Sequence, residues 1–131
     1  MKNDVYINAP MLDAIDIEDI QKSPYAADTE FELIEEHGLI DECAIHCIFI
    51  LLQNIGYNAA YDLIKHTILA ILKKASGKDK ENEGTKLVLE VCKKDSEGKM
   101  GDRKVITVST SYKMDEEERE RTISRIVGSI I

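Results

Sequence analysis

Residues 86–112 limit the possible folds more than any other part of the chain. Lys86-Leu87-Val88-Leu89-Glu90-Val91-Cys92 and Lys104-Val105-Ile106-Thr107-Val108-Ser109-Thr110 are short runs rich in β-branched residues, separated by a polar turn from Lys94 to Asp102 that carries Gly98 and Gly101. Such a pair reads as two antiparallel strands. Successive side chains of a strand point to opposite faces, so Leu87, Leu89 and Val91 share a core face with Ile106, Val108 and Tyr112. The opposite face sets Glu90 and Cys92 against Thr107, Ser109 and Ser111; it is small or polar and open to another chain. A two-stranded ribbon is marginal alone, so helices or a third strand must cover its core face. After it the pattern turns helical. Asp115 and Glu118 fit a helix start, Glu117 and Arg121 an i,i+4 pair, and Ile123, Ile126, Val127 and Ile130 a buried stripe.

The earlier segments carry weaker signals. Val5-Tyr6-Ile7 reads as a short strand ended by Pro10. Leu12, Ile15, Ile17 and Ile20 alternate with Asp13, Asp16, Glu18 and Asp19, which fits a short helix or an arm that docks on another surface. Lys22-Ser23-Pro24 is a breaker, because proline restricts the residue before it. Thr29 and Glu32 fit a capping box, predicting a helix through Phe31, Leu33 and Ile34 that falters near Gly38. A second helix is expected from Leu39 to Asn54, apolar nearly all round with Glu42, His46 and Gln53 as a thin polar stripe. A third, Asn58 to Ala75, sets Ala60, Ile64, Ile68, Ile71 and Leu72 against Asp62, Lys65, His66, Lys73 and Lys74, with Gly77 as its stop. Residues 76–85 read as a solvated connector. The expected organisation is an acidic N-terminal segment, 1–27, and one α+β domain, 28–131. In that domain a helical N-terminal half packs on an antiparallel hairpin or small sheet, followed by a C-terminal helix.

Charge bears on partners. Residues 1–42 hold 2 Lys and 12 Asp and Glu, net −10, whereas 43–131 hold 15 Lys and Arg and 13 Asp and Glu, net +2. That balance argues against nonspecific binding to nucleic acid or to anionic membranes, both of which require a cationic surface. An odd count of 3 cysteines argues against a fully paired disulfide framework. The start lacks the apolar core of a signal peptide, and the run from Cys43 to Ile55 is too short to span a bilayer. The cytoplasm is the expected location.

Chemistry-bearing residues are sparse. On a helix, Cys43, His46 and Cys47 would sit at i, i+3 and i+4, a spacing able to bring sulfur and imidazole to one zinc ion. No further ligand follows at a recognised spacing, with His37, His66 and Cys92 as the contributors at hand. The blander reading takes these cysteines as small buried hydrophobes and is preferred. A Cys–His nucleophile pair is disfavoured, because neighbours on one helix rarely give a line of attack and no oxyanion motif accompanies them. Lys93, Lys94, Lys99, Arg103 and Lys104 against Asp95, Glu97 and Asp102 give the hairpin end a local +2, read as a solvated strand end. Gly77-Lys78 lacks the glycine spacing of a phosphate loop. No catalytic residue and no cofactor is expected.

One family resemblance rests on Ile71-Leu72-Lys73-Lys74, Leu87-Val88-Leu89-Glu90-Val91, Ser96-Glu97-Gly98, Val105-Ile106-Thr107-Val108 and the helix after Asp115. A helix with a basic end, a strand, a turn, a second strand and a C-terminal helix resemble the bacterial effector-associated constant component family, over residues 57–131. The resemblance is architectural. It departs in a longer connector, a longer hairpin and an opening supplied only by Val5–Ile7. It implies a noncatalytic adaptor that couples modules in bacterial conflict systems, and it carries no functional residues.

The sequence therefore points to a protein interaction or adaptor module with a protein partner, a second copy of itself, or both. Candidate binding residues are Leu12, Ile15, Ile17 and Ile20 in the acidic segment, Thr107, Ser109 and Ser111 on the hairpin, and Ile130 and Ile131 in the apolar C-terminal stretch. The alternatives are an acidic inhibitor or immunity-type protein for a basic partner, and a metal enzyme built on Cys43, His46 and Cys47.

Overall fold

The computed structural model describes residues 1–34, 44–78 and 84–131. In chain order the elements are strand β1 (Asn3–Asn8), helix α1 (Ala14–Gln21), a 3-10 turn (Pro24–Ala26), strands β2 (Thr29–Leu33) and β3 (Ala44–Leu52), helix α2 (Tyr57–Lys78), strands β4 (Gly84–Lys94) and β5 (Lys104–Ser111), and helix α3 (Glu116–Ile130). The strands form one mixed sheet in the order β2-β1-β3-β4-β5. β1 runs parallel to β2 and β3 parallel to β4, while β1–β3 and β4–β5 are antiparallel. The class is α+β, but the arrangement corrects the expectation of a helical N-terminal half against a hairpin. Two of the five described strands, β2 and β3, lie in that half, and β1, from the acidic 1–27 segment, sits between them in the sheet.

Two expected helices are strands, each for a physical reason. In Thr29-Glu30-Phe31-Glu32-Leu33 the side chains alternate, with Thr29 buried, Glu30 and Glu32 exposed, and Phe31 and Leu33 half-buried. That is the period of a strand, and Thr29 and Glu32 form no cap. β2 opens at Asp28, whose positive φ of 54° turns the chain so that its carbonyl accepts from the Asn3 amide at 2.8 Å. The second correction is β3. Ile45, Cys47, Phe49 and Leu51 are fully buried, while His46, Ile48, Ile50 and Leu52 lie half-buried on the other side. A central strand apolar on both sides has no alternation and resembles a buried helix. The part of the expected helix that precedes Ala44 lies outside the described residues.

Topology decides where the helices go. β1–α1–β2 and β3–α2–β4 are both crossovers between parallel strands. They start from oppositely directed neighbours, β1 and β3, and step outward in opposite directions along the sheet. A common hand, which such connections almost always share, puts both helices on the same face. The packing agrees: one core cluster joins Val5, Ile7, Ile45, Phe49, Leu51, Leu87 and Leu89 of the sheet to Ile17, Ile20, Ile64, Ile68, Ile71, Ile123 and Val127 of α1, α2 and α3.

Ion pairs fasten this helical layer. Asp13 and Asp16 cap α1 reciprocally, each carboxylate accepting from the other's amide at 3.0 Å. The same carboxylates meet α2, with Lys78 bonded to Asp16 and 3.4 Å from Asp13, and Lys74 lying 3.1 Å from Asp19. Burial raises the Asp16 pKa, yet the Lys78 contact, the Asp13 amide and the charges of Lys78 and Lys74 outweigh it and hold the carboxyl below its ordinary value. Lys65 ties α2 to Glu120 of α3 at 3.0 Å. Tyr25 stacks on His66 with ring centroids 3.8 Å apart, fixing the 3-10 turn against α2.

Candidate functional site: the uncovered face of the sheet

With the three described helices on one side, no helix among the described residues covers the other face of the sheet. The strand register arranges that face in rows. One row runs Glu30, Asp4, Ile50, Cys92, with Arg103 just beyond; the next runs Glu32, Tyr6, Ile48, Glu90, Val105; the third holds Asn8, His46, Val88 and Thr107. Ile48, Ile50, Val88 and Tyr6 are half-buried and Val105 is 54% exposed. Thr107 and Ser109 are exposed. The aliphatic residues of this face are therefore Ile48 and Ile50 on β3, Val88 on β4 and, beyond Glu90, Val105 on β5 beside the small polar Thr107 and Ser109.

Charge frames these residues unevenly. On β1 and β2 they are flanked by Lys2, Asp4, Glu30 and Glu32, net −2; on β4, β5 and their junction by Lys86, Glu90, Lys94 and Arg103, net +2. Some of these charges pair within the face. Lys94 reaches across β3 to Asp4 at 2.6 Å, and Lys2 lies 3.6 Å from Glu30. Glu90 is the hub of the other side, with His46 Nε2 at 3.5 Å and Arg103 Nη1 at 3.7 Å from its Oε2. Burial raises the pKa of Cys92, which Arg103 lowers and Glu90 raises further.

The structure distributes the sequence-derived candidates differently from expectation. Thr107 and Ser109 lie on the uncovered face, and Ser111 is half-buried at its margin. Leu12, Ile17 and Ile20 are buried in the chain's own core, so they are not available to a partner; Ile15 is 68% exposed. Ile130 is buried as well. Ile131 packs against the core and lines a groove of about 410 Å³ with Ile55, Tyr57 and Val91. Ile48 and Ile50 escape sequence reasoning because β3 has the pattern of a buried helix. Its one signal is the run of β-branched and aromatic residues in Ile45–Ile50, which favours strands.

The metal candidates separate. His46 and Cys47 are neighbours on a strand and point to opposite faces, Cys47 into the core and His46 toward Glu90. Cys43 and His37 lie outside the described residues. His66 is engaged with Tyr25 on the helical side. Among the described residues no group of three or more metal-ligating side chains occurs. Nor is any described helix long and apolar enough to cross a membrane. No protein family, curated protein or solved structure matches the chain.

Proposed function

We propose that the chain is a noncatalytic protein-interaction module of the adaptor kind, binding its partner through the uncovered face of the five-stranded sheet and acting in the cytoplasm of a bacterial conflict system. One observation carries the reading: Ile48, Ile50, Val88 and Val105 share a sheet face that no described helix covers. Apolar surface left in water is unfavourable, and apolar residues rimmed by polar and charged groups are the usual anatomy of a protein-binding patch. The charges around it are of both signs, unlike the cationic stripe that nucleic acid requires. Cys47 and Cys92 are free thiols, which suits a reducing compartment.

The acidic-inhibitor reading loses the Asp16 carboxylate at α1, which Lys74 and Lys78 cover, while Asp13 and Asp19 stay more than half exposed. The metal-enzyme reading loses it at β3, where His46 and Cys47 diverge.

The test is a pair of face variants made in the host that expresses the chain. Ile48→Lys combined with Val88→Lys places charge among these aliphatic residues, and Thr107→Arg adds bulk and charge at an exposed position without touching the core. Both are expected to release the polypeptide, whether another protein or a second copy, that the tagged wild-type chain retains, with circular dichroism unchanged. Retention of the same polypeptide by folded Thr107→Arg and by the double variant contradicts the reading.

A further inference from the structure

The uncovered face has a symmetry that selects its partner. Acid lies on the β1–β2 side, aliphatic residues lie in the middle, and base lies on the β4–β5 side. We infer that the face pairs with the same face of a second copy about a two-fold axis lying in the interface along β3. This deepens the proposal above and rests on it.

The geometry follows from the register. A two-fold along the strand direction leaves each row in place and reverses its order, so the left end of a row meets the right end of the partner's. In the first row Glu30 then faces Arg103 of the second copy, and Ile50 faces its own counterpart. In the second row Ile48 meets its counterpart, Tyr6 meets Glu90, and Glu32 meets Val105. The interface thus has an isoleucine centre and a Glu30–Arg103 contact at each flank, made twice as a self-complementary patch requires; His46 meets its counterpart, and Lys2 comes opposite Lys94 of the second copy, each lysine keeping its own carboxylate, Glu30 at 3.6 Å and Asp4 at 2.6 Å. A two-fold perpendicular to the strands would instead lay β2 on β2, acid on acid, and β5 on β5. Like charges set face to face are strongly unfavourable, and only the first arrangement offsets its like-charge pair, Lys2 and Lys94, with the opposite-charge pair Glu30 and Arg103.

Size is adequate as well. Five strands ~4.8 Å apart and about six residues at ~3.3 Å each give a footprint of roughly 24 by 20 Å. Counted on both copies with its corrugation, that is on the order of 1,000–1,500 Å², within the lower range of specific interfaces. Two twisted sheets meeting this way form an aligned sandwich ~10 Å apart, giving four layers: helix, sheet, sheet, helix.

Size-exclusion with light scattering and sedimentation, at about 100 µM chain, tests the arrangement. The expected particle has twice the chain mass of 14.8 kDa. Glu30→Arg places two Arg–Arg contacts in the pair and Arg103→Glu places two Glu–Glu contacts, so each variant alone is expected to dimerise at least tenfold more weakly. When the two variants are mixed, the arginine introduced at position 30 of one meets the glutamate introduced at position 103 of the other. The native Arg103 of the first meets the native Glu30 of the second, and the heterodimer is expected to recover to within about threefold of wild type. A wild-type dimer indifferent to both reversals, or variants that the mixture does not rescue, overturns the arrangement. A monomeric wild type overturns self-pairing. If that monomer holds a different polypeptide, released by Thr107→Arg, the binding-face reading survives; if it holds none, both fall.

Discussion

Cys47 shows how one residue's environment decides its chemistry. It is fully buried on the core side of β3, and burial pushes its thiol up from an ordinary 9.0 to about 12. Because the thiolate is the reactive form, Cys47 is inert in the folded chain. At pH 8, alkylation followed by peptide mass spectrometry is expected to label Cys47 only at the rate of global unfolding. Labelling as fast as a free thiol would mean that β3 does not bury it. The pH dependence has a definite sign. The folded pKa is the higher one, so the contribution of the neutral thiol is complete below about pH 9 and declines as the pH rises from 9 toward 12. Its neighbour His46, one residue away, faces Glu90 at 3.5 Å on the other side of the sheet. The spacing of Cys43, His46 and Cys47 has a chemical meaning only on a helix; on a strand, neighbours such as His46 and Cys47 are sent to opposite faces.

At the scale of elements, legibility follows the amphipathic pattern. β4, β5, α2 and α3 each bury one face, and periodicity alone places Leu87, Leu89, Ile64, Ile68, Ile123 and Val127 in the core, where they lie. β3 buries both its sides in part, so its period is hidden, and the Ile48–Ile50 half of the candidate site is hidden with it. Only the polar margin, Thr107 and Ser109, is readable. The acidic α1 has the pattern of a docking arm because its lysine partners sit more than 50 residues away, beyond any local pattern. Its attachment to α2 makes a prediction. Asp16→Asn keeps an oxygen able to accept from the Asp13 amide but removes the charge that meets Lys78 and Lys74, and is expected to cost about 1 kcal/mol at pH 7 in urea unfolding. The Asp16 carboxyl is held below its ordinary 3.8, so this stabilisation is present above that value and is lost as pH falls through the lower, folded one. The gap between wild type and variant should therefore close below about pH 4. A gap that persists unchanged into strong acid would show that the charge of Asp16 is not what holds α1 to α2.

For the whole molecule, topology links sequence to function. Two crossovers of common hand send α1 and α2 to one side, α3 returns to the same side after the β4–β5 hairpin, and the other face is left with isoleucines between an acidic and a basic flank. If this face is where the chain meets another polypeptide, contact there must be detectable in living cells. Site-specific photo-cross-linking detects it, with a benzophenone amino acid placed either at Thr107, exposed on the open face, or at Arg125, exposed on α3. An adduct of higher mass is expected from position 107 and none from 125. An adduct from position 125 with position 107 silent would contradict a binding role for the open face.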